Sequence, residues 1–195
     1  MNNKKKIVLL VVAFVLTIAA SVGVTLAWLT AKSDDVTNTF APSTINIELT
    51  ETKGTDVANG KSFLMVPGHV LDKDPKVTVK ADSEDCYVFI KVTKVNDPDA
   101  FLTYTIASDW TELPNVDGVY YRIVEKNATV DQSFDILADN KVTVKQDVTK
   151  TQMENLKNLG EQLYPKLTFK AYAVQSKNTA NTEFTPQQAW AEVNK

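Results

Sequence analysis

Cys86-Tyr-Val-Phe-Ile-Lys-Val92 is the stretch on which the fold turns. It is built from β-branched and aromatic residues, and its apolar side chains fall on both parities as far as Ile90. A strand has this pattern when both of its faces are covered, so Cys86–Val95 is expected in the middle of a sheet. A second strong strand is expected over Lys166–Gln175, where Leu167, Phe169, Ala171 and Ala173 share one face.

Working outward, Ile45, Ile47 and Leu49 alternate with Asn46, Glu48 and Thr50, the pattern of a half-buried strand. Val77 and Val79 alternate with Lys76, Thr78 and Lys80 in the same way. Further strands are expected at Phe101–Ala107, Val119–Glu125, Ser133–Leu137 and Lys141–Lys145. Turn signals punctuate them: Asn59-Gly60 before Phe63–Val66, Pro67-Gly68 as the centre of a type II turn, Asn96–Asp99, Asp117-Gly118 and Asp139-Asn140. Two short helices interrupt the series. Thr151-Gln-Met-Glu154 has capping-box spacing, with Met153, Leu156 and Leu159 on one face and Gly160 as a stop. Thr185-Pro-Gln-Gln188 supplies an N-cap, a proline at N1 and a glutamine at N3 ahead of Ala189, Trp190 and Val193. Eight or nine short strands with turns between them point to an all-β chain, an antiparallel β-sandwich with one or two short helices. The length of 195 residues fits one domain, 44% apolar and 23% charged residues fit a globular one, and no period of 20–50 residues suggests a repeat array.

The N-terminus differs from the rest. Lys4, Lys5 and Lys6 precede an apolar run from Ile7 to Leu29, and no acidic residue occurs before Asp34. Positive residues followed by an apolar run and small residues form an export signal. The run also has the roughly 20 residues needed to cross a bilayer, so a cleaved signal competes with a retained anchor. Thr25 and Ala27 occupy the −3 and −1 positions of a cut before Trp28 and favour cleavage. The expected organisation is a signal peptide over 1–27, an extended segment over 28–42 and a β-sandwich over 43–195. Either outcome places the C-terminal part outside the cell, since the lysines stay inside.

Cleavage removes three lysines and no acid, leaving 18 basic and 24 acidic residues, a net charge of −6. That balance opposes nucleic-acid binding, which requires a basic face. Cys86 is the only cysteine, so no internal disulfide can form; a buried apolar role is expected for it.

The residues of catalysis are sparse. His69, the single histidine, follows the Pro67-Gly68 turn and is expected at the surface. A zinc peptidase of the HExxH kind needs two histidines on one helical face, and no G-x-S-x-G elbow exists for a serine triad. Cys86 as a nucleophile would need His69 as its base. Carboxylates gather at Asp72/Asp74, at Asp82/Glu84/Asp85 and at Asp97/Asp99, without calcium-loop spacing. Solvated strand ends are the expected role for them. No catalytic residue, metal ligand or cofactor is therefore expected.

Four segments together resemble the TasA/camelysin (CalY) family of biofilm matrix proteins. Gly23-Val-Thr-Leu-Ala-Trp-Leu-Thr30 is similar to the junction cut by a SipW-type signal peptidase. Val36-Thr-Asn-Thr-Phe40 leading to Ile45-Asn-Ile-Glu-Leu49 is similar to the first mature segment of such proteins. Met65-Val-Pro-Gly68 with Asp72–Pro75 and Val77 resembles their Pro-Gly turn and following strand. Leu167–Gln175 with Thr185–Trp190 resembles the end of the shorter members. The resemblance implies a jelly-roll sandwich, secreted to the extracellular matrix or cell surface, that polymerises by donor-strand exchange. Its implied partners are other copies of itself, other matrix proteins and the signal peptidase, with transient membrane association through the uncut signal. The donor strand would run from Trp28 to Phe40. Trp28, Val36 and Phe40 fall on one parity, and Asp34 breaks that series. Two other roles are consistent with an exported sandwich: a monomer that binds carbohydrate or a cell-surface partner, and a camelysin-like metallopeptidase. The second lacks a ligand set in this sequence.

Overall fold

The computed structural model describes residues 44–58 and 60–195. The segments 1–27 and 28–42, with Thr25, Ala27, Trp28, Val36 and Phe40, lie outside the described residues, as does Asn59. Among the described residues no helix is long and apolar enough to cross a membrane.

Residues Cys86–Val95 form strand β6, paired antiparallel on one side with β12 (Lys166–Gln175) and on the other with β9 (Val119–Val124). Both strong strands therefore occupy the expected positions, and β6 is central. β8 (Thr111–Glu112) completes this four-stranded sheet, in the order β12-β6-β9-β8. A second sheet has the order β1 (Ile47–Thr50), β5 (Lys76–Val79), β10 (Gln132–Asp135). A third has the order β4 (Val70–Asp72), β11 (Lys141–Val144), β7 (Leu102–Thr103). β2 (Thr55–Val57) and β3 (Gly60–Ser62) form a separate hairpin. All described pairings are antiparallel, so the described residues form an all-β fold with two short helices.

The alternation along β6 sorts its side chains between two cores. Cys86, Val88 and Ile90 point to a core shared with Val77 and Val79 of β5, Val124 of β9, Ile136, Leu137 and Val142 of β11. Trp110 joins it, its indole Nε1 donating to the Asp135 carbonyl at 2.8 Å. Tyr87 and Phe89 point the other way, into a core closed by helix α2 (Pro186–Val193) through Ala189 and Trp190. The Phe89 ring lies 5.3 Å from that of Trp190, and Tyr172 meets Trp190 edge-on at 5.2 Å. The Tyr87 hydroxyl donates to the Phe184 carbonyl at 2.8 Å, tying the approach to the helix back to the sheet.

The turns follow their residues. Gly68 has φ +80° and the His69 N–H donates to the Val66 carbonyl at 3.0 Å, as a type II turn on Pro67-Gly68 requires. Gly118 has φ +67°, and a Cβ there would lie 2.5 Å from the Val92 carbonyl oxygen, so only glycine suits this close approach.

Several local expectations differ from the structure. Helix α1 spans Lys150–Leu159 and its capping box uses Thr149 and Gln152, two residues before the pair Thr151/Glu154. Val148 before the cap is buried and Met153 four residues into the helix is half-buried. That is the spacing of a hydrophobic staple, and it sets the start of the helix. The box on Thr185 and Gln188 is as expected. Phe101–Ala107 shrinks to β7 and a bridge from Ile106 to Leu137. The described strands number twelve rather than eight or nine, the additional ones being two or three residues long.

Candidate functional site

Among the described residues, two strand edges lie beside each other without a ladder between them. There β1 pairs only with β5 and β12 only with β6, yet β1 and β12 lie close together along one side of the first core. Such edges carry backbone N–H and C=O groups able to pair with a further strand. Ile45, Ile47, Phe169, Ala171 and Ala173 pack against the core from this side and are only partly buried. Leu49 is exposed. Among the described residues the seam is thus an apolar strip flanked by two edges without a second partner, of four residues on β1 and ten on β12.

Each end of the seam has its own chemistry. At the end where β1 starts, β6 starts and β12 finishes, a cleft of about 440 Å³ is lined by Thr44, Ile45, Glu84, Asp85 and Gln175–Asn178. Backbone bonds hold its walls: Glu84 N–H to the Thr44 carbonyl at 3.2 Å and Ser176 N–H to the Asp85 carbonyl at 2.8 Å. The described chain begins here, at Thr44. Near the end of β1, Lys73 is buried to 9% exposure. Its Nζ donates to Glu51 at 2.7 Å and lies 4.9 Å from the Phe63 ring centre and 5.3 Å from that of Phe169. A buried ammonium needs a counter-ion and polarisable neighbours, and the carboxylate and two rings provide them. Through this ammonium Phe63, and with it the chain after the β2–β3 hairpin, is held to the same point as Phe169 of β12.

The other candidate groups are dispersed. His69 is exposed at its turn, on the loop before β4, whereas Cys86 starts β6 at the cleft end and is fully buried. Burial, with a smaller contribution from the Asp85 charge, pushes the Cys86 thiol from 9.0 up to about 11. Asp72 is paired with Lys141, and that hydrogen bond holds its carboxyl below the usual range. Asp74 is opposed by partial burial but accepts from the Thr52 hydroxyl and from the backbone N–H of Thr52 and Lys53, with a net lowering. Asp82 and Glu84 flank Lys126, Asp85 accepts from its N–H, and Asp99 pairs with Lys94. Among the described residues no three such side chains converge as metal ligands. Each of these carboxylates but Asp97 is engaged by a lysine or by backbone N–H groups at a strand end or turn.

The thiol shift has a consequence at high pH. Below pH 9 the thiol is protonated in both folded and unfolded chains, and its contribution to stability is fully present. Above that, the unfolded chain releases the proton first, and the contribution is lost as the pH passes through about 11. Burial also raises Tyr87, Tyr104 and Tyr120, which act in the same direction. The urea midpoint is expected to fall between pH 8 and pH 10.5, and the native thiol to resist a disulfide-forming reagent at pH 8. Labelling of the native protein at the rate of a free cysteine would contradict this.

Sequence reasoning missed the seam and the Lys73 pair. Lys73 lies between Asp72 and Asp74 in what looks like a solvated turn, and nothing local marks it as buried. No family model, curated protein or solved structure matches the chain.

Proposed function

We propose that this protein is a secreted structural subunit of extracellular fibres, with its sheets forming a jelly-roll sandwich of the kind the TasA/camelysin resemblance implies. The observation that carries the reading is the apolar seam between the free edges of β1 and β12. An added strand would extend the β12 ladder with its backbone and fill the strip with alternate side chains, with β1, which lies within 8 Å of β12, moving aside to leave the roughly 9.6 Å that two strand spacings need. The chain carries a suitable occupant. Residues 28–43 attach at Thr44, at the cleft end of the seam, and at about 3.3 Å per residue they can reach about 50 Å. Trp28, Val36 and Phe40 of one copy would occupy the seam of the next.

In this reading the export signal delivers the chain through the membrane and a SipW-type peptidase cuts after Ala27, freeing Trp28. No catalytic residue, metal or cofactor is assigned. Electron microscopy of the cleaved protein at rising concentration tests the proposal. Unbranched fibres appearing above a threshold concentration are expected. A protein that stays monomeric at millimolar concentration would favour the monomeric binding role instead.

A further inference from the structure

The face of the four-stranded sheet that carries the second core is covered over only part of its length. Side chains alternate along a strand, so every second pair in the β6–β12 register stands on this face. Phe89 with Tyr172 lies against Trp190 of helix α2. The next three pairs on the same face are Lys91 with Lys170, Thr93 with Thr168 and Val95 with Lys166. Lys91 is half-buried and the other five are exposed. Lys91 and Lys170 stand directly opposite each other, where Cβ atoms are about 4.5–5.5 Å apart and like charges destabilise a sheet. Lys166 follows four residues further on, about 14 Å along the strands. Among the described residues none of these three ammonium groups pairs with a carboxylate, whereas Lys76, Lys80 and Lys141 on the other sheets all do. Lys170 Nζ lies 5.0 Å from the Tyr172 ring centre, a contact that leaves its charge uncompensated. The chain has 24 acidic residues to 21 basic ones, so counter-charges are abundant elsewhere.

A like-charged pair kept without an internal counter-ion fits a ligand that brings the counter-charge. The rows alternate along the strands: two ammonium groups, two hydroxyls, then one ammonium. We infer that this face of the β6–β12 pair binds an acidic polysaccharide, with carboxylates over Lys91/Lys170 and over Lys166 and sugar hydroxyls on Thr93 and Thr168. Lysine is a hydrated point charge rather than a planar fork, which suits carboxylates spaced along a hydrated polymer. Nucleic acid spaces a charge about every 3.4 Å along each strand, too densely for charged rows about 14 Å apart, and these rows offer no aromatic ring for a base to stack on. A bilayer would find only Val95 to bury. The net negative charge of the rest of the chain repels a polyanion, so the polymer is confined to this face. The site lies on the opposite face of β12 from Phe169 and Ala171, and it serves a monomer and a fibre subunit alike.

Binding of polygalacturonate to the chain cut after Ala27 tests this. The polymer is expected to bind at low ionic strength and to be released at about 1 M salt, where the Debye length is about 3 Å. Lys91→Gln with Lys170→Gln is expected to weaken binding at least tenfold. Lys150→Gln with Lys195→Gln removes the same charge from two other exposed positions and is expected to leave binding within about twofold. Equal losses from the two double variants, or no binding by the parent, would overturn the inference. Duplex DNA or phosphatidylglycerol vesicles bound more tightly than the polysaccharide, or self-association of the parent lost in the Lys91/Lys170 variant, would assign the face to another partner and overturn it too. Urea unfolding supplies an independent readout. Lys91→Gln is expected to raise the midpoint, because Lys170 loses a like-charged neighbour. A fall in the midpoint would show that the lysine supports the fold, and would count against a face kept for a ligand.

Discussion

Deleting Trp28 through Thr39 is expected to leave a folded monomer that forms no fibres at any concentration. The described residues of both cores all follow Thr44, and the deletion removes none of those side chains. The proposed assembly, in contrast, loses Trp28 and Val36 of its donor and keeps only Phe40. Each large apolar side chain placed in the seam contributes about 1.5–3 kcal/mol, and each ladder hydrogen bond nets about 1 kcal/mol. Ordering the segment opposes these at about 1–2 kcal/mol per residue. Fibres should therefore need a threshold concentration and dissolve on dilution. Val36→Asp retains the segment but sets a charge into an apolar slot, and should raise the threshold at least tenfold without changing the unfolding midpoint of the monomer. Fibres from the deletion variant that match the parent in width and yield would mean that the segment is only a linker.

Phe89→Ala should have the largest effect on stability, about 3–5 kcal/mol. Phe89 is fully buried at the centre of the second core, with ring centres of Tyr87, Tyr121 and Trp190 at 6.0, 6.1 and 5.3 Å. The neighbours are large and rigid and are held from three elements, so the space cannot close over. Helix α2 docks through Trp190 on this ring, and its attachment should loosen first. Ile123→Ala, on a strand of the same sheet but 58% exposed, should cost no more than about 0.5 kcal/mol. Urea unfolding of the monomeric deletion variant measures both, with Trp110 and Trp190 as the remaining fluorescent reporters. A loss below 1 kcal/mol for Phe89→Ala would show that the second core contributes little.

The parts of the fold legible in the sequence were those fixed by local physics. β6 announced itself by the apolar run Cys86–Ile90 and β12 by its alternation, and Pro67-Gly68 and Thr185–Gln188 by backbone chemistry that few other residues satisfy. β4 and β8 had no such signal. Thr111–Glu112 is a strand only because Tyr120 and Tyr121 lie beside it. The helix cap was displaced because Thr149 and Thr151 are equivalent by spacing, and the burial of Val148 separates them. The seam was the least legible feature. It consists of two edges that do not pair, and that depends on β1 and β12 belonging to different sheets. The same holds for Lys73, whose burial depends on Phe63 and Phe169 arriving from ten residues before and almost a hundred after.

The pairing of β6 with β12 bears on the life of the chain before it has any structure. Val95 meets Lys166 and Cys86 meets Gln175, so the partner of the central strand is made some 70–90 residues later. A chain whose main contacts are this distant folds slowly, on the millisecond-to-second scale, and folds only once its end is present. In the proposed export, residues up to Val95 would be outside with no β12 to close the sheet, and the late strand would act as a timer: it would keep the leading part in a transportable state, and folding would start when the last thirty residues emerge.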